Sequence, residues 1–178
     1  MAQQDTSSMN NNVLGVTLAV LLMRIWLGFR AFLSGVEKYA GKETVEKQVI
    51  VDGRPVEYEL VAEGAKKVYS LDSYHGVPAA LMDKFEGEPL IPGFMLGIYD
   101  TVLGPLLIVL GLTVLLGIFS RISLFVMGLV YTSLTFGLIL INQPSGVAWL
   151  ATHVILIVLM LIYAGYNRFE VGGLLKKK

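Results

Sequence analysis

Four ionisable side chains stand inside stretches that are otherwise apolar: Arg24, Arg30, Asp100 and His153. An ionisable group at bilayer depth is expensive, so such residues pair with one another, hold a ligand or move protons. Arg24 lies about eleven residues into the first apolar stretch, about 16 Å at 1.5 Å per residue, near the midplane of a spanning helix. That is far for snorkelling, so Arg24 requires a carboxylate, backbone carbonyls, water or an anionic ligand. Arg30 stands about a turn and a half further along, and Asp100 and His153 lie within about two turns of the same side of the membrane. Arg30, Asp100 and His153 can therefore share one layer, with Arg30–Asp100 as the expected ion pair. All four are candidates for binding a quinone or an anion, and histidine titrates near neutral pH. The plainer readings are charge neutralisation between helices for the pair and hydrogen-bonded packing for His153. His153 has no second histidine at helical spacing, so neither a metal site nor a haem is expected.

The elements that must position these residues follow from composition. Of the 178 residues, 54% are hydrophobic and only 16% charged, against roughly 45–50% and about 25% in ordinary soluble domains. Lys+Arg and Asp+Glu number 14 each, giving a net charge of zero and no basic excess for a nucleic acid partner. Zero cysteines exclude disulfides, thiol catalysis and Cys-ligated metal. No Walker, Rossmann, zincin, nucleophile-elbow or CxxC pattern occurs.

Four apolar stretches, about 13–36, 94–119, 122–141 and 147–165, each meet or approach the roughly 20 residues that cross a bilayer. Apolar residues run around every face, unlike a soluble amphipathic helix. The expected fold is an all-α membrane protein, a four-transmembrane-helix bundle forming one domain over 1–178, with a small extracytoplasmic cap between the first two spans. The charge is segregated: residues 37–91 hold seven basic and eleven acidic residues, a net −4, and the remainder carries +4. Arg121 lies between the second and third spans, and Arg168 with Lys176, Lys177 and Lys178 follows the fourth. The positive-inside rule then places both termini in the cytoplasm and 37–91 outside. The first stretch lacks a basic leader and a small-residue cleavage site, so it reads as a retained helix.

Within the cap, Asp52-Gly53 sits between Gln48–Val51 and Val56–Val61, a hairpin signal over 48–62. Pro78 to Phe85 predicts a short helix with Leu81, Met82 and Phe85 on one side, lying on the membrane surface. An isolated hairpin is marginal in water, so the cap is expected to pack on the bundle or on a protein partner. Gly28, Gly35, Gly97, Gly104, Gly111 and Gly117 allow close helix approach. Pro105 removes a backbone donor from the second span, kinking it and freeing a carbonyl.

Three segments carry a family likeness. They are Arg24-Ile25-Trp26-Leu27-Gly28-Phe29-Arg30 through Gly35 to Lys38, Phe85 to Gly93, and Gly104-Pro105 through Gly111 and Gly117 to Arg121. With the terminal Tyr166-Asn167-Arg168, the chain resembles the DoxX family of four-helix membrane proteins, which includes the DoxD-type subunit of thiosulfate:quinone oxidoreductases. The resemblance covers all four spans. Many relatives carry a glutamate about a turn before the glycine matching Gly111; this chain has Leu107 there, and Asp100 is the nearest carboxylate in that span. The resemblance implies a quinone-linked or sulfur-redox setting in the bacterial cytoplasmic membrane.

Three functions compete. The leading expectation is an accessory subunit of a redox-associated complex, docking partners through its helix faces and cap, because no catalytic constellation is visible. The alternative is a direct part in quinone reduction, with Arg24 and Arg30 orienting the ligand, Asp100 and His153 passing protons, and a partner supplying electrons; quinone is the only cofactor implied. A small-solute transporter ranks third, since neither an internal repeat nor a matched pair of broken segments is present.

Overall fold

The computed structural model describes the backbone of residues 2–48, 50–51, 54–55 and 61–167, and the side chains of 12–44 and 65–167. Helix α1 (Ala2–Val36) leads through a 3-10 turn, Glu37–Tyr39, into the strands β1 (Ala40–Gln48), β2 (Ile50–Val51), β3 (Arg54–Pro55) and β4 (Val61–Tyr69). Then come the short α2 (Ala79–Glu86) and the long α3 (Gly93–Leu116), α4 (Ser120–Leu140) and α5 (Pro144–Ile162), closed by a second 3-10 turn, Ala164–Tyr166. Four helical segments are long and apolar enough to cross a membrane: Asn12–Tyr39 and the whole of α3, α4 and α5. The chain is a multi-pass membrane protein with an all-α four-helix bundle.

Each spanning helix turns one stripe inward at three- and four-residue spacing. In α1 the stripe is Thr17, Val20, Arg24, Leu27 and Ala31; in α3 it is Leu103, Leu107, Leu110 and Val114. In α4 it is Leu124, Met127 and Tyr131, and in α5 Leu150, His153, Ile157 and Met160. The opposite faces expose large apolar side chains such as Leu22, Phe29, Val109, Phe125 and Ile155, which suits contact with lipid. Arg24 and His153 therefore lie on the packed stripes.

Helices α1 and α3 approach closely because glycines face backbone. A Cβ on Gly28 would fall 2.7 Å from Leu115, and one on Gly35 would fall 2.8 Å from the Gly104 carbonyl oxygen. A Cβ on Gly111 would overlap the Phe32 amide, whereas Gly97 faces open space. Gly117 acts differently: at φ 70° it takes the left-handed conformation that ends α3, the usual glycine C-cap. The second span consequently stops at Leu116, short of the expected 119. Pro144, at the first helical position of α5, starts that span earlier than the expected 147, since its fixed φ suits a helix start.

The hairpin expected over 48–62 is longer at its base. β1 pairs antiparallel with β4 from Ala40↔Tyr69 to Gln48↔Val61, and β2 with β3 at Ile50↔Pro55 and Val51↔Arg54. Residues 40–47 escaped the alternation argument because apolar and polar residues do not alternate there, and the strand is held by its backbone pairing with β4. The Asp52-Gly53 turn and residues 56–60 lie outside the described residues, as does the segment 168–178. At the hairpin base Lys67 forms an ion pair with Glu37, to which Tyr69 also donates at 3.1 Å. The predicted short helix is α2, one residue displaced, with Pro78 as its N-cap.

Candidate functional site

The C-terminus of α1, the N-termini of α3 and α5, the C-terminus of α4 and the cap gather at one end of the bundle. Three of the four candidate residues lie toward that end, and the structure separates them into two groups.

His153 is 3% exposed on the inward stripe of α5. Its Nδ1 is 2.8 Å from the Trp149 carbonyl oxygen one turn back, so Nδ1 carries the proton and donates. Nε2 is buried and has no hydrogen-bond partner among the described residues. Aromatic rings enclose the imidazole: Trp149 at 4.1 Å, Tyr131 edge-on at 5.9 Å and Trp26 at 6.4 Å between centroids. The Arg30 guanidinium carbon stands 4.4 Å from the centroid of Trp149, within cation–π range. Arg30 and His153 thus share the Trp149 ring.

Asp100 goes elsewhere. Its Oδ1 accepts the Val77 N–H at 2.8 Å, so Arg30 and Asp100 meet different partners in place of the expected ion pair. The cap loop also reaches α3 through Tyr74, whose hydroxyl lies 2.7 Å from the Asp100 carbonyl oxygen and 2.9 Å from that of Thr101. The Gly104 N–H in turn points to the Tyr74 oxygen at 3.3 Å. Thr101 is the residue whose carbonyl Pro105 cannot serve, so the tyrosine supplies the donor that proline removes. The close fit needs glycine on both sides. A Cβ on Gly104 would sit 2.6 Å from the Tyr74 ring, and one on Gly76 would overlap the Asp100 carbonyl. Burial, the largest influence, holds the Tyr74 phenol above the usual tyrosine range. Pro105 itself is exposed; its effect is on the backbone rather than on packing between helices.

Arg24 is tied toward the opposite end. Its Nη1 donates to Asn167 Oδ1 at 2.8 Å, and Asn167 Nδ2 donates to Ser120 Oγ at 3.2 Å. Ser120 opens α4 and Asn167 follows α5, so Arg24 ties the interior of α1 to the start of α4 and the end of α5. Side chains on a helix lean toward its N-terminus, which carries this guanidinium away from the Arg30 layer.

Between the aromatic cluster and the cap lies a cavity of ≈220 Å³. Its walls are apolar side chains of α3, α4 and α5, together with Tyr131 and Trp149; Gly76, Val77, Pro78, Leu81 and Phe85 line its cap side. The lining residues with polar side-chain atoms are Ser34 of α1, Lys38 of the 3-10 turn that follows it, Tyr131 and Trp149. These carry an ammonium, two hydroxyls and an indole N–H, all able to donate. The sequence did not single out Tyr74 or Lys38 as site residues. The adjacent Gly104 and Pro105 were a signal that something must fill the kink, and Lys38 closes the first family-like segment. Among the described residues, no group of three or more His, Cys, Asp or Glu is placed to hold a metal ion.

No family model, curated protein or solved structure matches the chain.

Proposed function

We propose that this chain is a DoxX-like subunit of a redox-associated membrane complex, accessory in that a partner supplies the electrons, and that it seats a quinone head group at the cap end of its bundle. The observation that carries this reading is the ≈220 Å³ cavity, apolar but for the polar atoms of Lys38, Ser34, Tyr131 and Trp149, set beside a buried histidine. A flat head group with two carbonyl oxygens needs such a slot with a few convergent donors. When bound, a quinone is the electron and proton acceptor; the protein's part is binding and orientation. Lys38 and Tyr131 donate to the ligand oxygens, Trp149 offers a ring face, and Arg30 fixes that ring by stacking on its π-system. His153 stands behind this wall, its ring packed on those of Trp149 and Tyr131. Arg24 serves the bundle through Asn167 and does not touch the ligand.

The charge distribution supports an orientation with both termini and Arg121 in the cytoplasm and the cap outside, in a bacterial cytoplasmic membrane as the family likeness implies. The exposed, charged hairpin is then available to protein partners on the outer face.

Quinone binding tests the reading. Purified protein in nanodiscs is titrated with decylubiquinone while tryptophan fluorescence is followed, since Trp149 lines the cavity. Saturable quenching is expected, weakened about tenfold or more in Lys38→Met and retained in a substitution on the lipid-facing surface, Val109→Ala. Quenching that only follows partition into the bilayer, or that Lys38→Met leaves unchanged, rejects the site.

A further inference from the structure

A second hollow adjoins the cavity. It is a groove of ≈110 Å³ between the first turns of α3 and the last turns of α4, and it shares Val77, Phe85 and Leu134 with the larger cavity. The Phe85 ring lies over the α4 backbone at Gly137, where a Cβ would stand 3.4 Å from ring atom Cε1. Phe85 thus lines both the cavity and the groove.

The two hollows differ in chemistry. The cavity carries Lys38, Ser34 and Tyr131 on its wall. The groove has two hydroxyls, and both are committed: Tyr99 donates to Ser133, and Ser133 donates to the Val130 carbonyl oxygen at 2.8 Å. No charged side chain lines the groove. The groove opens to the surface beside Leu90 in the turn before α3, Met95 on α3 and Phe136 on α4, which are 67%, 39% and 57% exposed. A charged donor inside and an uncharged, mostly apolar channel outside form the complement of an amphiphile.

We infer that the site takes a chain-bearing ligand directly from the bilayer, its head group in the cavity against Lys38 and Tyr131 and its hydrocarbon chain along the α3–α4 groove past Phe85. This rests on the quinone reading for the identity of the head group. It adds that a prenyl- or alkyl-type chain is part of what is recognised, and that the route of entry is lateral.

The experiment compares three probes on the full chain in nanodiscs, with affinities referred to concentration within the bilayer: decylubiquinone, the same quinone head without its chain, and dodecanoate. Two variants narrow the groove from opposite walls without lining the cavity, Ser133→Leu on α4 and Leu96→Trp on α3. Decylubiquinone is expected to bind the natural protein about tenfold more tightly than the chainless head. Either variant should remove that advantage while leaving the chainless head unaffected. Equal binding of the two quinones, or an advantage that survives both variants, overturns the chain groove and leaves the head-group reading intact. Saturable dodecanoate binding that the variants abolish, with no binding of either quinone, keeps the groove and rejects the quinone. No saturable binding of any probe overturns both.

Discussion

The hydroxyl of Tyr74 stands 2.9 Å from the carbonyl oxygen of Thr101, the acceptor that Pro105, four residues on, leaves without its helical donor. A cap residue thus completes the backbone hydrogen bonding of a membrane-spanning helix. Within the bilayer region such a carbonyl has no water to turn to. Tyr74→Phe should destabilise the protein by about 1 kcal/mol, the net worth of a hydrogen bond. Pro105→Ala restores the missing N–H, so in the Tyr74→Phe background it should recover the part of that loss that belongs to the Thr101 carbonyl, while contributing little alone. Unfolding of the four proteins of the cycle in mild detergent measures the coupling; simple additivity would mean that the tyrosine does not serve this carbonyl.

The same contact sets a pH dependence. The folded-state pKa of Tyr74 is raised, chiefly by burial. Its contribution to stability is therefore complete below about pH 10, the value of an unfolded tyrosine, and is lost as pH rises through the higher folded value. Ionisation also turns a donor into a third acceptor facing two carbonyl oxygens. The melting-temperature gap between the natural protein and Tyr74→Phe should hold near pH 8 and close above about pH 10. A constant gap would show that the phenol does not titrate in this contact.

The α1–α3 glycines should not be interchangeable. Gly111→Ala drives a methyl into the Phe32 backbone and should cost about 1–3 kcal/mol, with Gly35→Ala similar. Gly97→Ala, which faces open space, should be neutral or slightly stabilising through helix propensity. A ranking with Gly97 as the costliest position would contradict the packing described above.

Asn167→Ala removes the amide that accepts from Arg24 and donates to Ser120. A loss of about 1–3 kcal/mol is expected, with Asn167→Asp retaining part of the stability by keeping the acceptor. On the proposed reading, quinone affinity in Asn167→Ala should be unchanged, because the cavity lined by Lys38 lies toward the other end of the bundle. Reduced affinity in a variant of near-natural stability would return Arg24 to the ligand-binding residues.

The bundle was legible in the sequence because long apolar runs leave few choices, and the hairpin because Asp52-Gly53 is a strong turn signal. The inward faces were harder to read, since lipid-facing and packed sides are equally apolar. They are marked instead by the residues that a lipid face would not carry: Thr17, Arg24, Gly28 and Gly35 on α1, Ser120 and Ser123 on α4, His153 on α5. Long-range partners were beyond reach. Pro105 announced a free carbonyl, but no spacing points to Tyr74 in a loop upstream, and Arg24 finds Asn167 past the end of the last span. The Arg30–Asp100 expectation arose from depth alone. Depth does not specify azimuth, and Arg30 turns to Trp149 while Asp100 turns to the cap.

The glycine-packed pair, α1 and α3, is also the pair whose connection is longest, the whole of residues 37–92, whereas α3 to α4 and α4 to α5 are joined by the short turns 117–119 and 141–143. Local hairpins close at little entropic cost and distant contacts close late. During synthesis α1 must therefore wait through the entire cap before its tightest neighbour exists, and Tyr74 has no seat until the kink of α3 arrives. The seating of that one ring is a checkpoint of assembly: a cap docked on the bundle marks a chain whose first helix has met its partner.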